Sequence, residues 1–157
     1  MNLFLMNIFL ALGFAVVEGQ LSMRGIATGF ALGYGVLWLT RTLYGPTRYF
    51  QRVPRVLLLV GHFLVDLVLS NFQVLWDVVT PSHISRPGIV GVPLDASSDM
   101  EILLLANLIS LTPGTLSIDL AEDRSVLYVH VMFLDDADRA CREIKEGLER
   151  RILEVTR

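Results

Sequence analysis

Five residues with chemically active side chains form one row. His62, Asp66, Ser70, Gln73 and Asp77 follow at steps of four, four, three and four inside the otherwise apolar stretch from Val56 to Thr80, and Arg55 and Arg52 continue the row backward. At about 100° per residue these positions share one helical stripe about 80° wide. An imidazole and a carboxylate one turn apart, His62 and Asp66, have the chemistry of a proton-handling pair, because they titrate on either side of neutrality. The same spacing equally describes a polar seam laid against a neighbouring subunit or lipid headgroups.

The elements that must hold this row in place are themselves apolar. Asn2 to Val17 contains no charged side chain, and Leu21 to Thr40 contains only Arg24. Two such segments separated by Glu18, Gly19 and Gln20 predict a helical hairpin, since lipid requires backbone groups to be satisfied within each segment. A cleavable signal peptide is the competing reading of the first segment, but it lacks a basic leading region. Each helix would be about 22 Å long, against a hydrocarbon core of about 30 Å. The expectation is therefore local bilayer thinning, or support by a larger assembly. Gly25, Gly29 and Gly33 mark a helix-packing ridge on the second helix, to be met by another subunit or by Ala11 and Ala15 of the first helix.

Charge sets the orientation. Residues 1–60 carry five arginines against Glu18, a balance of +4, while the remainder of the 157 residues carries −7. Arg41, Arg48, Arg52 and Arg55 crowd the exit of the second helix, so the positive-inside rule makes residues 41–55 cytoplasmic. Tyr44, Gly45, Pro46 and Thr47 read as a hinge. The seamed helix can span, with its carboxylates facing a cavity, or lie at the cytoplasmic surface with its apolar face in the lipid boundary. The surface position is preferred, because spanning would send the C-terminal residues outside. A hydrophobic content of 53% with 18% charge, and a single cysteine, exclude a disordered chain, a disulfide scaffold and a basic nucleic-acid binder.

The C-terminal half reads as a small soluble module. Pro81, Ser82, Arg86, Pro87 and Gly88 break the helix, and Ile89 to Leu94, with Pro93 inside, predicts a short edge strand. Ser98 and Glu101 form a capping box for an almost wholly apolar helix from Asp99 to Leu111, to be buried under a sheet or against the membrane surface. Alternation over residues 115–120 and 127–133 around the polar turn Glu122, Asp123 and Arg124 predicts an antiparallel hairpin, and the second strand is apolar on both faces. Asp135, Asp136 and Asp138 cap a last helix with one buried stripe, on which Cys141 lies, and with Glu146 and Arg150 paired on its outer face. The expected architecture is a membrane α-helical hairpin plus a small cytoplasmic α+β domain, ordered strand-helix-strand-strand-helix. Its divisions are residues 1–43 for two short transmembrane helices, 44–80 for hinge and seamed helix, and 81–157 for the cytoplasmic domain.

No nucleophile elbow, phosphate loop or metal-spaced histidine pair is present, and His62, His83 and His130 are scattered. Neither an enzyme nor a bound cofactor or metal is expected.

The run Ala106-Asn107-Leu108-Ile109-Ser110-Leu111-Thr112-Pro113-Gly114-Thr115-Leu116-Ser117-Ile118-Asp119, followed by Leu127-Tyr128-Val129-His130-Val131-Met132, closely resembles the C-terminal signature of the E-subunit (MrpE) family of Mrp-type multisubunit sodium/proton antiporters. Arg86-Pro87-Gly88-Ile89, the stretch Leu69-Ser70-Asn71-Phe72-Gln73-Val74, the length and the apolar front also resemble that family. The signature turn is Leu111, Thr112, Pro113, Gly114 and Thr115. One departure is that Phe133 and Leu134 intervene between Met132 and Asp135, where the family places an aspartate directly after the strand. The resemblance implies a bacterial plasma-membrane complex, multi-pass with a cytoplasmic C-terminal domain, in which other, larger subunits carry the sodium and proton paths. Membrane lipids and those subunits are the implied partners, with no nucleic acid. The role expected is accessory: assembly, local membrane shape and ion access from the cytoplasmic side. A stand-alone membrane-tethered binding or sensing domain is the alternative, and a pore built from this chain alone is a third reading.

Overall fold

The computed structural model describes residues 2–19, 21–45, 47–81 and 84–157. Gln20, Pro46, Ser82 and His83, named above among breaks, hinge and histidines, lie outside the described residues. The chain divides into two compact units, Met1–Pro54 and Arg55–Arg157. This differs from the expected three-part division at 43/44 and 80/81.

In the first unit, helices α1 (Leu3–Val17) and α2 (Met23–Leu39) pack side by side. Ser22 caps α2, its hydroxyl accepting from the Gly25 amide at 3.0 Å. A Cβ on Gly29 would lie 2.8 Å from the Ala11 carbonyl oxygen, and one on Gly33 would collide with the Asn7 carboxamide. The two pairings run in opposite directions along the helices, which are therefore antiparallel. Gly25, Gly29 and Gly33 are buried along with Asn7, Ala11 and Ala15. Close approach at Gly29 and Gly33 is thus used within the chain, by α1. Asn7 is fully buried; its Nδ2 donates to the Tyr49 hydroxyl at 2.7 Å and to the Phe30 carbonyl at 3.2 Å. Its Oδ1, facing Gly33, has no hydrogen-bond donor among the described residues.

Helix α3 (Tyr49–Val79) has 31 residues and starts seven residues before the apolar stretch at Val56. Pro54 lies inside it. Proline cannot donate to the carbonyl four residues back, here Phe50, and the Tyr34 hydroxyl donates to that carbonyl instead at 3.3 Å. The rings of Tyr34, Tyr49 and Phe50 stack edge-on or tilted at 5.3 to 5.8 Å around this point. Among the described residues α3 is the one helix long and apolar enough to cross a membrane by length and composition. Helices α1 and α2, at 15 and 17 residues, are shorter.

The second unit holds the rest of α3 and a layer of helices on a three-stranded antiparallel sheet. Strands β1 (Gly88–Pro93), β2 (Thr115–Leu120) and β3 (Val126–Val131) stand in the order β1-β3-β2, so β1 is an edge strand and β2-β3 a hairpin. Helix α4 (Asp99–Leu111) carries the capping box, with both Ser98 and Glu101 bonds formed. Val90, Val92, Leu127, Val129 and Val131 on one face of the sheet bury against Leu105, Ile109 and Ile152.

The last helical stretch departs from the expected single helix. Helix α5 (Ala137–Ile144) passes through a π turn (Lys145–Glu149) into α6 (Arg150–Thr156). The extra residue turns Glu149 inward and shifts the outer register, so that Arg150 pairs with Glu154 at 3.9 Å rather than with Glu146. The Glu149 carboxylate accepts the Asp95 and Ala96 amides at 2.6 and 2.9 Å, and Lys145 lies 3.1 Å from it. Burial lowers the Lys145 pKa, but Asp95 and Glu149 outweigh it and leave the ammonium above its ordinary value.

Glu101 is buried and anchors the same loop from the other side, accepting from Thr156 at 2.7 Å, from the Ser97 and Ser98 amides, and from Arg157. The Thr156 hydroxyl and then the Ser98 amide bring its pKa from 4.5 down to about 2; burial opposes them, and Ser97 and Arg157 add to the lowering. A depressed carboxylate stabilises the fold fully above its unfolded pKa, and that contribution is lost as pH falls from 4.5 through about 2. Glu101→Gln is therefore expected to lower the melting temperature of the module's transition more at pH 7 than at pH 3, measured on the full chain in detergent. An equal drop at both pH values would refute the assignment. In the hairpin, Gly33→Ala is expected to cost about 1–3 kcal/mol through overpacking against Asn7. Gly35→Ala, whose Cβ meets nothing within 4 Å, is the matched neutral control in the same thermal assay.

Candidate functional site

The polar row on α3 meets the signature turn across a cleft in the second unit. Asp66, Ser70 and Gln73 line the α3 wall of a 540 Å³ lobe whose other walls include Thr112, Thr115, Val131 and Ile144. A second lobe of 340 Å³ shares Ser70, Gln73, Thr115 and Val131 and adds Pro113, Gly114 and Phe133. Asp135, Asp136, Arg139 and Glu143 border this second lobe, and Glu146, Arg150 and Arg151 border the first. A mixed floor of apolar and hydroxyl groups with charged borders suits a polar occupant that keeps part of its hydration.

Seven of the expected residues therefore line the cleft: Asp66, Ser70 and Gln73 of the seam, with Thr112, Pro113, Gly114 and Thr115 of the turn. His62 does not join them. Its Nδ1 lies 2.9 Å from the Leu58 carbonyl oxygen, one turn back, and it makes no bond to Asp66. A carbonyl only accepts, so this contact puts the imidazole proton on Nδ1. The geometry thus contains no formed His62–Asp66 pair. Asp77 is buried at the far end of the row and accepts the Ile84 and Ser85 amides at 2.5 and 3.0 Å. It tethers the segment leading to β1. At the other end of the row, Arg55 Nη1 donates to the Glu154 carbonyl at 2.8 Å.

The signature turn closes α4 and opens β2. Gly114 adopts a φ of +88°, a left-handed conformation that favours glycine, and its carbonyl accepts from Met132 at 2.7 Å. The Thr112 hydroxyl donates to Leu108 at 2.9 Å, and the Thr115 hydroxyl donates to Ile109 at 2.6 Å and to Thr112 at 3.0 Å. These satisfy carbonyls that every helix end leaves orphaned. Leu111 stays exposed beside them.

Residues 7–155 match the family described as MNHE, Na+/H+ ion antiporter subunit. The chain belongs to this antiporter subunit family. A relative in Bacillus subtilis (strain 168), the E subunit of a Na(+)/H(+) antiporter, is 36% identical over 153 residues, covering 98% of this chain and 97% of the relative. A chain in the structure of the Mrp complex from Dietzia sp. DQ12-45-1b is 27% identical with a TM-score of 0.51, covering 66% of this chain and 96% of that one. A chain of the membrane-bound sulfane sulfur reductase, an archaeal respiratory membrane complex, shares the fold at a TM-score of 0.61 and 21% identity, over 97% and 98%. The sequence resemblance to the E-subunit family is thereby borne out, and a subunit of a sodium/proton antiporter, located in a membrane, is established at the level of the family.

For this antiporter subunit the departure after Met132 also has a structural use. Phe133 bridges to Arg86, the Arg86 amide donates to Met132 at 2.9 Å, and the Leu134 amide donates to Arg86 at 3.0 Å. Asn7 and Glu149 carry tertiary bonds that no spacing singled out. For Asn7 the available signal was its isolation as a carboxamide in an uncharged segment. Gly114→Ala is expected to destabilise the second unit by about 1–2 kcal/mol, because a Cβ there forces a left-handed residue. Comparison of denaturation midpoints with Gly147→Ala checks this, since Gly147 has no positive φ.

Proposed function

We propose that the chain is an accessory membrane subunit of a multisubunit monovalent cation (sodium)/proton antiporter. It supports assembly, shapes the membrane locally and borders cytoplasmic ion access, while other subunits conduct. The likeness to an antiporter's E subunit and to a chain of the Mrp complex supports a place in such an assembly. The observation that carries the accessory reading is the fate of Asn7. A conduction path needs a continuous set of polar or titratable groups at depth. In the hairpin the deep carboxamide of Asn7 is engaged by Phe30 and Tyr49, and the Thr28 hydroxyl donates back to Arg24 at 2.8 Å.

In this reading α1 and α2 cross a bacterial plasma membrane as a short hairpin. Phe4, Phe9, Val16, Leu32 and Leu39 are exposed along them and suit lipid or neighbouring helices. At about 22 to 26 Å of helix against about 30 Å of hydrocarbon, the bilayer thins beside them. Arg41, Arg48, Arg52 and Arg55 keep the exit cytoplasmic. Helix α3 lies at the cytoplasmic surface, despite its span-like length. Support comes from its anchors: Arg55 bonds α6 and Asp77 bonds the segment before β1, so both ends of this part of α3 are tied to one module. A spanning helix would hold those ends on opposite sides of the bilayer.

Purified alone in liposomes, the chain is expected to show no sodium-driven proton movement with a pH-sensitive dye. In mild detergent it is expected to co-purify with the other antiporter subunits. Exchange by the chain alone, or its quantitative recovery without them, would overturn the reading.

A further inference from the structure

The sheet of the second unit has one covered face and one bare face. Helices α4, α5 and α6 cover the side of Val90, Val92, Leu127, Val129 and Val131. On the opposite side, Ile89 of β1 and Leu116 of β2 both pair with His130 of β3, and Tyr128 stands between Gly91 and Asp119. Ile118 sits at the irregularity in β2 and, like Leu116, is exposed. One-sided antiparallel sheets ordinarily present polar residues to water. Here Ile89 is 64% exposed, Leu116 52%, Ile118 51% and Tyr128 42%, and among the described residues nothing lies over them.

Two further observations bear on what covers this face. The β2-β3 hairpin borders it with Asp119, Glu122 and Asp123, all exposed, whereas the neighbouring Arg124 is committed to Asp99 at 2.5 Å. An acidic border repels the anionic headgroups of a bacterial membrane and complements lysine and arginine. The apolar patch measures on the order of a few hundred Å², the size of a functional patch on a monomer. A self-standing complex buries about 800 Å² on each partner, so this patch does not hold a partner by itself, and against a second copy its acidic border would meet the same acids. It suffices where membrane anchoring already keeps the partner at high local concentration.

We propose that the outer sheet face formed by Ile89, Leu116, Ile118 and Tyr128 is a docking surface for another subunit of the same antiporter, through an apolar protein patch fringed by lysine or arginine. This rests on the subunit reading above and adds the surface and the chemistry of its partner.

The test places a photo-crosslinking benzoyl-phenylalanine at position 116, with position 142 on α5 as the control, in the complete complex purified in mild detergent. Irradiation is expected to join position 116 to one other subunit, at an apolar segment carrying lysine or arginine, with position 142 giving at most about one-fifth of that yield. Glu122→Lys and, separately, Asp119→Lys are expected to cut the position-116 crosslink by at least about threefold. A crosslink to a second copy, a crosslink to lipid, no crosslink, or a yield indifferent to both charge reversals overturns the proposal while the complex itself remains intact. Purification of the chain without other antiporter subunits overturns the subunit reading and this proposal together.

Discussion

Arg55 and Asp77 lie about 33 Å apart along one helix at 1.5 Å per residue, and both are bonded to the same small α+β module. This double anchorage constrains everything placed around it. It holds the polar row of α3 beside the signature turn, and leaves between them a cleft rather than a packed seam. It also gives the seam a division of labour. Asp77 is engaged by the Ile84 and Ser85 amides, whereas Asp66, Ser70 and Gln73 line the cleft. A helix of this length and apolarity would ordinarily be assigned to the bilayer on composition alone. Anchors at both ends to one module are the support for the surface position proposed above.

The module is held by two buried carboxylates that act on one loop. Glu149 receives the amides of Asp95 and Ala96, and Glu101 receives those of Ser97 and Ser98. Buried charge is tolerable only when it is hydrogen-bonded and paired, and here Lys145 and Arg157 complete the two sets. The loop they hold connects β1 to α4, so the acids set the spacing between the sheet and the helix that covers it. The outer side of the sheet receives no such support from within the described residues, and its apolar side chains stay exposed.

The hairpin follows a different logic. In the proposed membrane setting helices have no hydrophobic drive toward one another, so contact depends on close approach and on satisfying polar groups internally. Gly29 and Gly33 allow the approach, and Asn7 supplies the polar link to α2 and to the first turn of α3. A buried carboxamide with both its donors engaged locks the helices together.

Much of this was legible in the residues taken one neighbourhood at a time. The Ser98 and Glu101 spacing placed the start of α4, alternation placed the β2-β3 hairpin, Pro113 and Gly114 placed the turn between them, and the signature around that turn identified the family. Each of these depends on contacts a few positions apart, which spacing records directly. Other features depend on residues distant in the chain. The tertiary structure alone decided that Tyr34 completes the helix across Pro54, that α1 occupies the glycine ridge, and that a π turn carries Glu149 to the loop at Asp95. It also decided that His62 bonds its own backbone while Asp77 holds the segment before β1. Periodicity tells which face a side chain is on; only the packing of distant segments determines what meets it there.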